Sequence, residues 1–453
     1  MNSSEFKQFV IKVLMEKGIA DYDLYYSCEE DTTVEIFKNE VSHFSSSTNA
    51  GICLRCLVNG KPGSASTQLF TKETAVLLVS HALENAKSIE SHDIVEIQKP
   101  AASYHEAASK AFPLASSNVL IEKALECQKL AYDENSKVSE GTQTFTSSIR
   151  TSIELTNSKG IELSHNFSMD MAYINTVIKD GEDLFSGDAF EVNPISSINY
   201  ESLAKEAVED GLSNINAKKI SSGKHNAVIS GRMMATLLQT FFPVFSAESV
   251  QQGLSLLRDK KDTQIASSCL TLIDDPFYSD SFQAGSHIQM PFDAEGSATY
   301  TKYIVENGIL KTLLYDGKSA KKENISSTGN GIKENYASPI HIMPYTFYVK
   351  PGEISLDSLL KQLENGIYIT NIQGLHAGAD PITGDFSLAA GGFLVVSGKK
   401  SQSIKEFTIS GNFYTLLKQI LALGDDIKFG PPKGCSCFGS PSVLVQNISV
   451  AGE

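Results

Sequence analysis

Between Asn371 and Asp426 the chain is punctuated by Gly374, Gly378, Gly384, Gly391, Gly392, Gly398 and Gly411. Glycine reaches backbone conformations that side chains forbid, so this run demands tight turns and close backbone approach. Strand-like pieces, Phe393 to Val396 and Ile404 to Ile409, lie between the glycines. The period then changes. Phe413, Leu416, Leu417, Ile420 and Leu421 fall at helical spacing behind Ser410-Gly411-Asn412, which can cap a helix. The stretch predicts a glycine-rich sheet edge feeding one buried helix, with His376, Asp380 and Asp385 on loops. The competing reading is a β-rich core with well-made turns, in which each of these polar residues serves the fold.

At 453 residues the chain exceeds one small core. The expected division is an N-terminal α+β domain over 1–110, a middle portion over 111–222 and a β-rich C-terminal domain over 223–453. The formal charge is −15, and the 38 Lys and Arg form no long basic run. Direct nucleic-acid binding needs clustered cations, so it is not expected. No apolar stretch is long enough to span a bilayer, and no membrane association is expected. The N-terminus reads as an amphipathic helix rather than a secretory signal, which points to a cytoplasmic protein. Seven cysteines do not make a disulfide framework. Cys53 and Cys56 have redox or zinc spacing but sit in an alternating strand, which favours structural thiols. Cys435 and Cys437 sit in a Gly/Pro loop, and no second pair accompanies either set.

Taken in order, the periodicity predicts a helix through Phe6, Phe9, Val10, Val13 and Leu14. Strands follow at Tyr22 to Cys28, Thr32 to Val41 and Ile52 to Val58, the last turning at Asn59-Gly60. A helix from Thr71 to Ala86 closes the unit. Residues 88–115 read as a linker. It contains His105-Glu106, but Ser109 and Lys110 stand where a zincin helix needs its second histidine. Helices over 117–135 and 200–215 enclose hairpins at Asn157 to Gly160 and Asp180-Gly181. In the third portion Met233, Leu237, Leu238 and Phe241 form a helix ended by Pro243. A helical pattern over 246–257 follows, then a hairpin turning at Asn307-Gly308. Ser326 to Gly331 is glycine-rich but lacks the lysine of a phosphate-binding loop. A last strand is expected over 443–450, and no tandem repeat is visible.

Several pieces in fixed order carry a resemblance: Asp274-Asp275-Pro276, FDAEG from Phe292 to Gly296, IVENGILKTLLYD from Ile304 to Asp316, STGNG from Ser327 to Gly331, and DPITGDFSLAAGGFLV from Asp380. The sequence resembles the TldD/PmbA family, the so-called modulators of DNA gyrase, over essentially its whole length. The resemblance implies one of two kinds of subunit. The catalytic kind carries HExxxH on a helix and a cysteine ligand near the end of the chain. There two histidines hold zinc, and the glutamate takes a proton from zinc-bound water. The other kind, PmbA or TldE, keeps the fold without the ligands. Here the motif positions read Gln239, Thr240, Phe241, Phe242, Pro243 and Val244. Gln239 and Val244 replace the histidines and Thr240 the base, leaving only Cys435 or Cys437 as a remnant. The resemblance therefore implies a non-catalytic, PmbA-like subunit with no metal of its own and zinc on a TldD-like partner. It also implies a homodimer in isolation.

The first functional expectation is an interaction protein, one subunit of a heteromeric metalloprotease acting on unfolded or small peptides. An extended peptide would add to a sheet edge, near Thr328, Gly329 and Asn330 and near Thr383, Gly384 and Asp385. The second is a self-standing hydrolase built on His376, Asp380 and Asp385, with Asp274, Asp275 or Glu295. Against it, aspartate beside proline is ordinary turn chemistry. The third is a modulator of DNA gyrase or of a toxin acting by protein contact.

Overall fold

The chain opens with α1 (Ser3–Glu16), started by a reciprocal cap in which Asn2 accepts from the Glu5 amide and Glu5 accepts from the Asn2 amide. Its stripe of Phe6, Val10, Val13 and Leu14 is buried. Three strands follow, β1 (Tyr22–Phe37), β2 (Glu40–Val58) and β3 (Lys61–Thr67), then α2 (Lys72–Ser88). The same order repeats as α3 (Ser117–Glu134), β4 (Gln143–Asn157), β5 (Glu162–Asp180), β6 (Asp183–Val192) and α4 (Tyr200–Ser213). These are views from a computed structural model that describes residues 1–90, 95–108, 111–279 and 287–453.

The two runs share one antiparallel sheet in the order β3-β2-β1-β4-β5-β6. β1 and β4 join them, paired from Asp23↔Asn157 to Phe37↔Gln143. The helices cover one face. Tyr22, Leu24, Ile52 and Leu54 pack under α1 and α2, while Val34, Ile36, Ala172 and Ile174 pack under α3 and α4. Thr144 and Thr146 tie the sheet to α3 by donating to the carbonyls of Ala124 and Leu120 at 2.8 and 3.0 Å. Tyr22–Cys28 and Thr32–Val41, expected as separate strands, are corrected here. Residues 22–37 form one strand, and the turn falls at Lys38-Asn39 with φ of 53° and 61°. The acidic run Glu29-Glu30-Asp31 imitates a break, but the ladder to β2 and β4 continues through it. The hairpin at Asn59-Gly60 forms as expected, with φ of 50° and 79°.

Beyond Ser88, where α2 ends, the described residues of the linker up to 115 carry no helix or strand. Tyr104 pins it to the C-terminal portion by donating to the Gly296 carbonyl at 2.9 Å. Its residues 91–94 and 109–110, among them the Ser109 and Lys110 of the zincin argument, lie outside the described residues.

The C-terminal portion supplies β7 (Gly223–Ile229), α5 (Gly231–Phe241), β8 (Gly366–Gln373), β9 (Asp385–Val396), β10 (Lys399–Asn412) and β11 (Val443–Ala451). The strands close in the ring β10-β9-β8-β7-β11-β10, a small barrel that is antiparallel except between β7 and β8. The glycine-rich stretch is thus a barrel wall. The apolar face of α5 lies in the same core, with Phe241 stacked on Phe413 at 4.7 Å. A second sheet is built on Leu272–Asp274, Lys302–Glu306, Thr346–Val349 and Cys437–Ser440. The fold is α+β, with a barrel and antiparallel sheet at the C-terminal end. Two helices are shorter than their apolar spacing suggests. Phe413–Lys418 stops before Ile420, which instead pairs with Val445 in a strand. Of 246–257 only Ala247–Gln251 is helical. No described helix is long and apolar enough to cross a membrane.

Candidate functional site

On β4 and β5 the face of the first sheet away from its helices also carries apolar side chains. Strand alternation sends the odd-numbered residues of β1, β4 and β5 to that side, including Tyr25, Ile149, Ile153, Phe167 and Met169. With Ile332, Met343 and the loop Pro432–Ser436 of the C-terminal portion, they enclose a cavity of about 500 Å³. About half of its lining is polar, including Glu29, Asn49, Lys333, Glu334, Lys433 and the Cys435 thiol. Burial, and next the Glu29 carboxylate, push that thiol up to about 12, so it stays protonated at neutral pH. A sheet covered on both faces carries apolar side chains in both registers. β5 shows this in Phe167 and Met169 against Ala172 and Ile174. That signal was available in the sequence, but reading this segment only as part of hairpins left it unused.

Beside the cavity the resemblance-bearing motifs converge in a buried polar network. Asp274 is fully buried. It accepts from Lys302 Nζ at 3.0 Å, Asn330 Nδ2 at 2.8 Å and the Tyr345 amide at 2.7 Å. Thr328 accepts from the Tyr315 amide and donates to Asn330 Oδ1, both at 2.7 Å. Asp293 accepts from the amides of Glu295, Ser297 and Gly331. Glu295 accepts from the Gly317 amide at 2.6 Å and from Arg55 of β2 at 3.0 Å, and Arg55 also donates to Asp23. A charge at each of these positions meets a fixed counter-charge or donor, so the network locks the C-terminal portion onto the first sheet.

The expected contact residues therefore separate. Thr328 and Asn330 spend their side chains inside this framework, and both are buried. Gly329, φ +73°, makes the turn between them. Thr383, Gly384 and Asp385 form a turn at the start of β9, with Thr383 and Asp385 exposed and Gly384 buried between them. Asp385 accepts there from Asn412 at 2.9 Å, and a Cβ on Gly384, φ +81°, would meet the Tyr414 ring at 2.8 Å. Asp380 shares that turn, accepting from the amides of Ile382 and Thr383. Exposed His376 sits in the short helix Leu375–Gly378. Among the described residues no hydrogen bond joins His376 to Asp380 or Asp385. Asp275 caps its own loop, accepting from Thr301 and the Phe277 amide. Among the described residues no hydrogen bond assembles the carboxylate–histidine constellation.

The zinc-ligand positions implied by the resemblance lie at the end of α5. Thr240 turns its hydroxyl to the Thr236 carbonyl at 3.0 Å. Val244 is fully buried in the core. Pro243 takes the chain out of the α-helix into the single turn Phe242–Phe245. Phe242 packs against Phe438, ring centres 5.5 Å apart, and against the apolar cluster bordering the cavity. Among the described residues no three His, Cys, Asp or Glu side chains are grouped to hold a metal ion. Zinc needs deprotonated ligands in tetrahedral array, and these residues do not fit it.

The chain matches the PmbA/TldA metallopeptidase domain 1 over residues 22–86, the central domain over 112–215 and the C-terminal domain over 222–452. It is 31% identical to a metalloprotease PmbA homolog of Buchnera aphidicola, spanning 74% of this chain and 70% of that one. The crystal structure of a Thermotoga maritima protein suggested to modulate a DNA gyrase superposes with a TM-score of 0.88 at 27% identity, covering 99% and 100% of the two chains. TldE from Thermococcus kodakarensis shares the fold, with a TM-score of 0.88 at 22% identity over 98% and 99% of the chains.

Proposed function

The chain belongs to the PmbA/TldD metallopeptidase family, and on that premise we propose that it is a zinc-free subunit that holds an extended peptide for a catalytic subunit carrying HExxxH. The observation that carries this reading is the end of α5. Gln239, Thr240 and Val244 stand at the ligand and base positions, Thr240 is tied to its own helix, and Val244 is in the core. Such residues can neither hold zinc nor activate its water. The cavity supports the second half of the proposal. Its apolar wall on β4 and β5 suits the side chains of an unfolded peptide, and its scattered polar groups suit main-chain amides. The turn Thr383–Asp385 is a second, outer contact. The partner is a TldD-like subunit, and the product is a trimmed or matured peptide.

The test is binding of an unstructured, fluorophore-labelled peptide to the chain with and without that subunit. Ile149→Glu and Met169→Glu should weaken binding about tenfold or more by putting unpaired carboxylates in the apolar wall. Asp385→Ala should weaken it less. Unchanged binding in both cavity variants would remove the cavity from the account.

A further inference from the structure

Lys333 departs from a rule that the other cations of this chain obey. Among the described residues, every other lysine or arginine that is not exposed forms an ion pair with a carboxylate. Arg55 holds Asp23 and Glu295, and Lys302 holds Asp274. Half-buried Lys333 holds none among the described residues, in a chain whose net charge is −15. Its Nζ lies over the Tyr25 ring, 5.5 Å from the ring centre. A ring face attracts a cation without neutralising it. The Cys53 thiol beside it is raised by burial more than the Lys333 charge lowers it, so that thiol stays neutral. The loop carrying Lys333 is fixed to the sheet. The Tyr336 amide donates to Ser27 Oγ of β1 at 2.9 Å, and the Tyr336 ring packs over Gly51 of β2. Lys333 and Tyr25 line the cavity of about 500 Å³ and also a smaller one of about 310 Å³, so the cation stands where the two adjoin.

We propose that Lys333 anchors the terminal carboxylate of the peptide held in the cavity, an inference that rests on the peptide-holding reading above. A half-buried ammonium without a counter-charge is ready to take an anion, and the charge-assisted bond it makes is stronger than a neutral one. The unmatched charge is single, which suits a carboxylate rather than a phosphate carrying close to two negative charges. Arg55 lines the smaller cavity but is already committed to two carboxylates. Lys433 lines the larger one but is exposed, where water and salt screen it. Glu29 and Glu334 line the same space and oppose further acidic side chains, so the wall accepts one carboxylate at one place. A subunit that holds unfolded peptides of varied sequence can rely on what all of them share, the main chain and its two ends. The amino end is a cation, which Lys333 repels. The anchor therefore sets the direction in which the peptide lies as well as where it stops.

The experiment is fluorescence anisotropy on the whole chain with one unstructured peptide, labelled at its amino end and made as the free acid and as the C-terminal amide. The free acid should bind about tenfold or more tightly than the amide. Lys333→Met should bind both forms alike, near the level of the amide on the unaltered chain. Lys333→Arg should keep the preference. Comparing acid with amide within each variant separates a lost anchor from a poorly folded protein. A third peptide, amidated and carrying one internal glutamate, should bind like the amide. The proposal is overturned if acid and amide bind the unaltered chain equally, or if the preference survives in Lys333→Met. It is equally overturned if the internal glutamate restores the affinity of the free acid, since the carboxylate would then be a side chain's. Equal binding of acid and amide that Ile149→Glu still weakens removes the anchor and leaves the peptide cavity standing. Absence of binding by either form removes both.

Discussion

Arg55 Nη1 of β2 lies 3.0 Å from Glu295 Oε1 of the C-terminal portion, while Arg55 Nε donates to Asp23 at 2.8 Å. One nearly buried guanidinium thus neutralises two carboxylates and joins the sheet to the segment that carries FDAEG. Removing it leaves two buried negative charges uncompensated. Arg55→Met should cost on the order of 3–5 kcal/mol, read as a lowered urea midpoint. A loss below about 1 kcal/mol would show that this ion-pair cluster does not hold the two portions together.

The two sets of residues expected to touch peptide should respond differently. Asn330 Nδ2 donates to Asp274 at 2.8 Å and to the Met343 carbonyl at 2.9 Å, fully buried. Asn330→Ala should cost about 2–3 kcal/mol because a charged acceptor and a carbonyl lose their shared donor. Exposed Asp385 should cost under about 0.5 kcal/mol when changed to Ala. Chemical denaturation of the two variants side by side checks the order, and a larger loss at Asp385 would reverse the assignment.

Much of this architecture was legible in the sequence. The stripe Phe6-Val10-Val13-Leu14, the Asn59-Gly60 turn and the Asn307-Gly308 turn are local signals, and local physics decided them. The pairing of Asp23 with Asn157 was not legible, because nothing near either residue names its partner across more than a hundred positions. The glycine stretch pointed to sheet but not to closure, since closure rests on a pairing of Ile409 with Val450. At the site, the residues that replace the zinc ligands were readable only through the resemblance. The cavity was missed because its wall comes from β4 and β5 and its roof from residues 332–335 and 432–436, brought together only by the fold.

A pH dependence follows from Asp293. Burial, and then the neighbouring Glu295 carboxylate, push it from the ordinary 3.8 up to about 7, against the pull of three backbone amides. The folded chain keeps a proton that the unfolded chain releases near pH 4. The resulting stabilisation is complete below that value and is lost as the pH rises through about 7. Unfolding free energy measured across this window should carry a falling component. Asp293→Asn should flatten it, whatever that variant's absolute stability. An identical slope in both proteins would contradict the assignment.

Cysteine reactivity offers an independent view of the cavity. Cys269 is exposed, whereas the Cys435 thiol is held up at about 12. Iodoacetamide near pH 8 should modify Cys269 at least ~10-fold faster, since the thiolate is the nucleophile. Glu29→Gln should speed modification of Cys435 by removing a repelling charge. Peptide mapping by mass spectrometry checks both. Rapid labelling of Cys435 in the unaltered chain would mean a more open and more polar pocket.

The central claim, a peptide-holding subunit without zinc of its own, meets its most direct test in metal content measured together with peptide hydrolysis. Both would be read on the purified chain alone and after mixing with an HExxxH-bearing subunit. The account predicts no stoichiometric zinc and no hydrolysis by the chain alone. It predicts that hydrolysis in the mixture exceeds that of the catalytic subunit by itself. Stoichiometric zinc in the chain alone, with hydrolysis that a chelator abolishes, would contradict it.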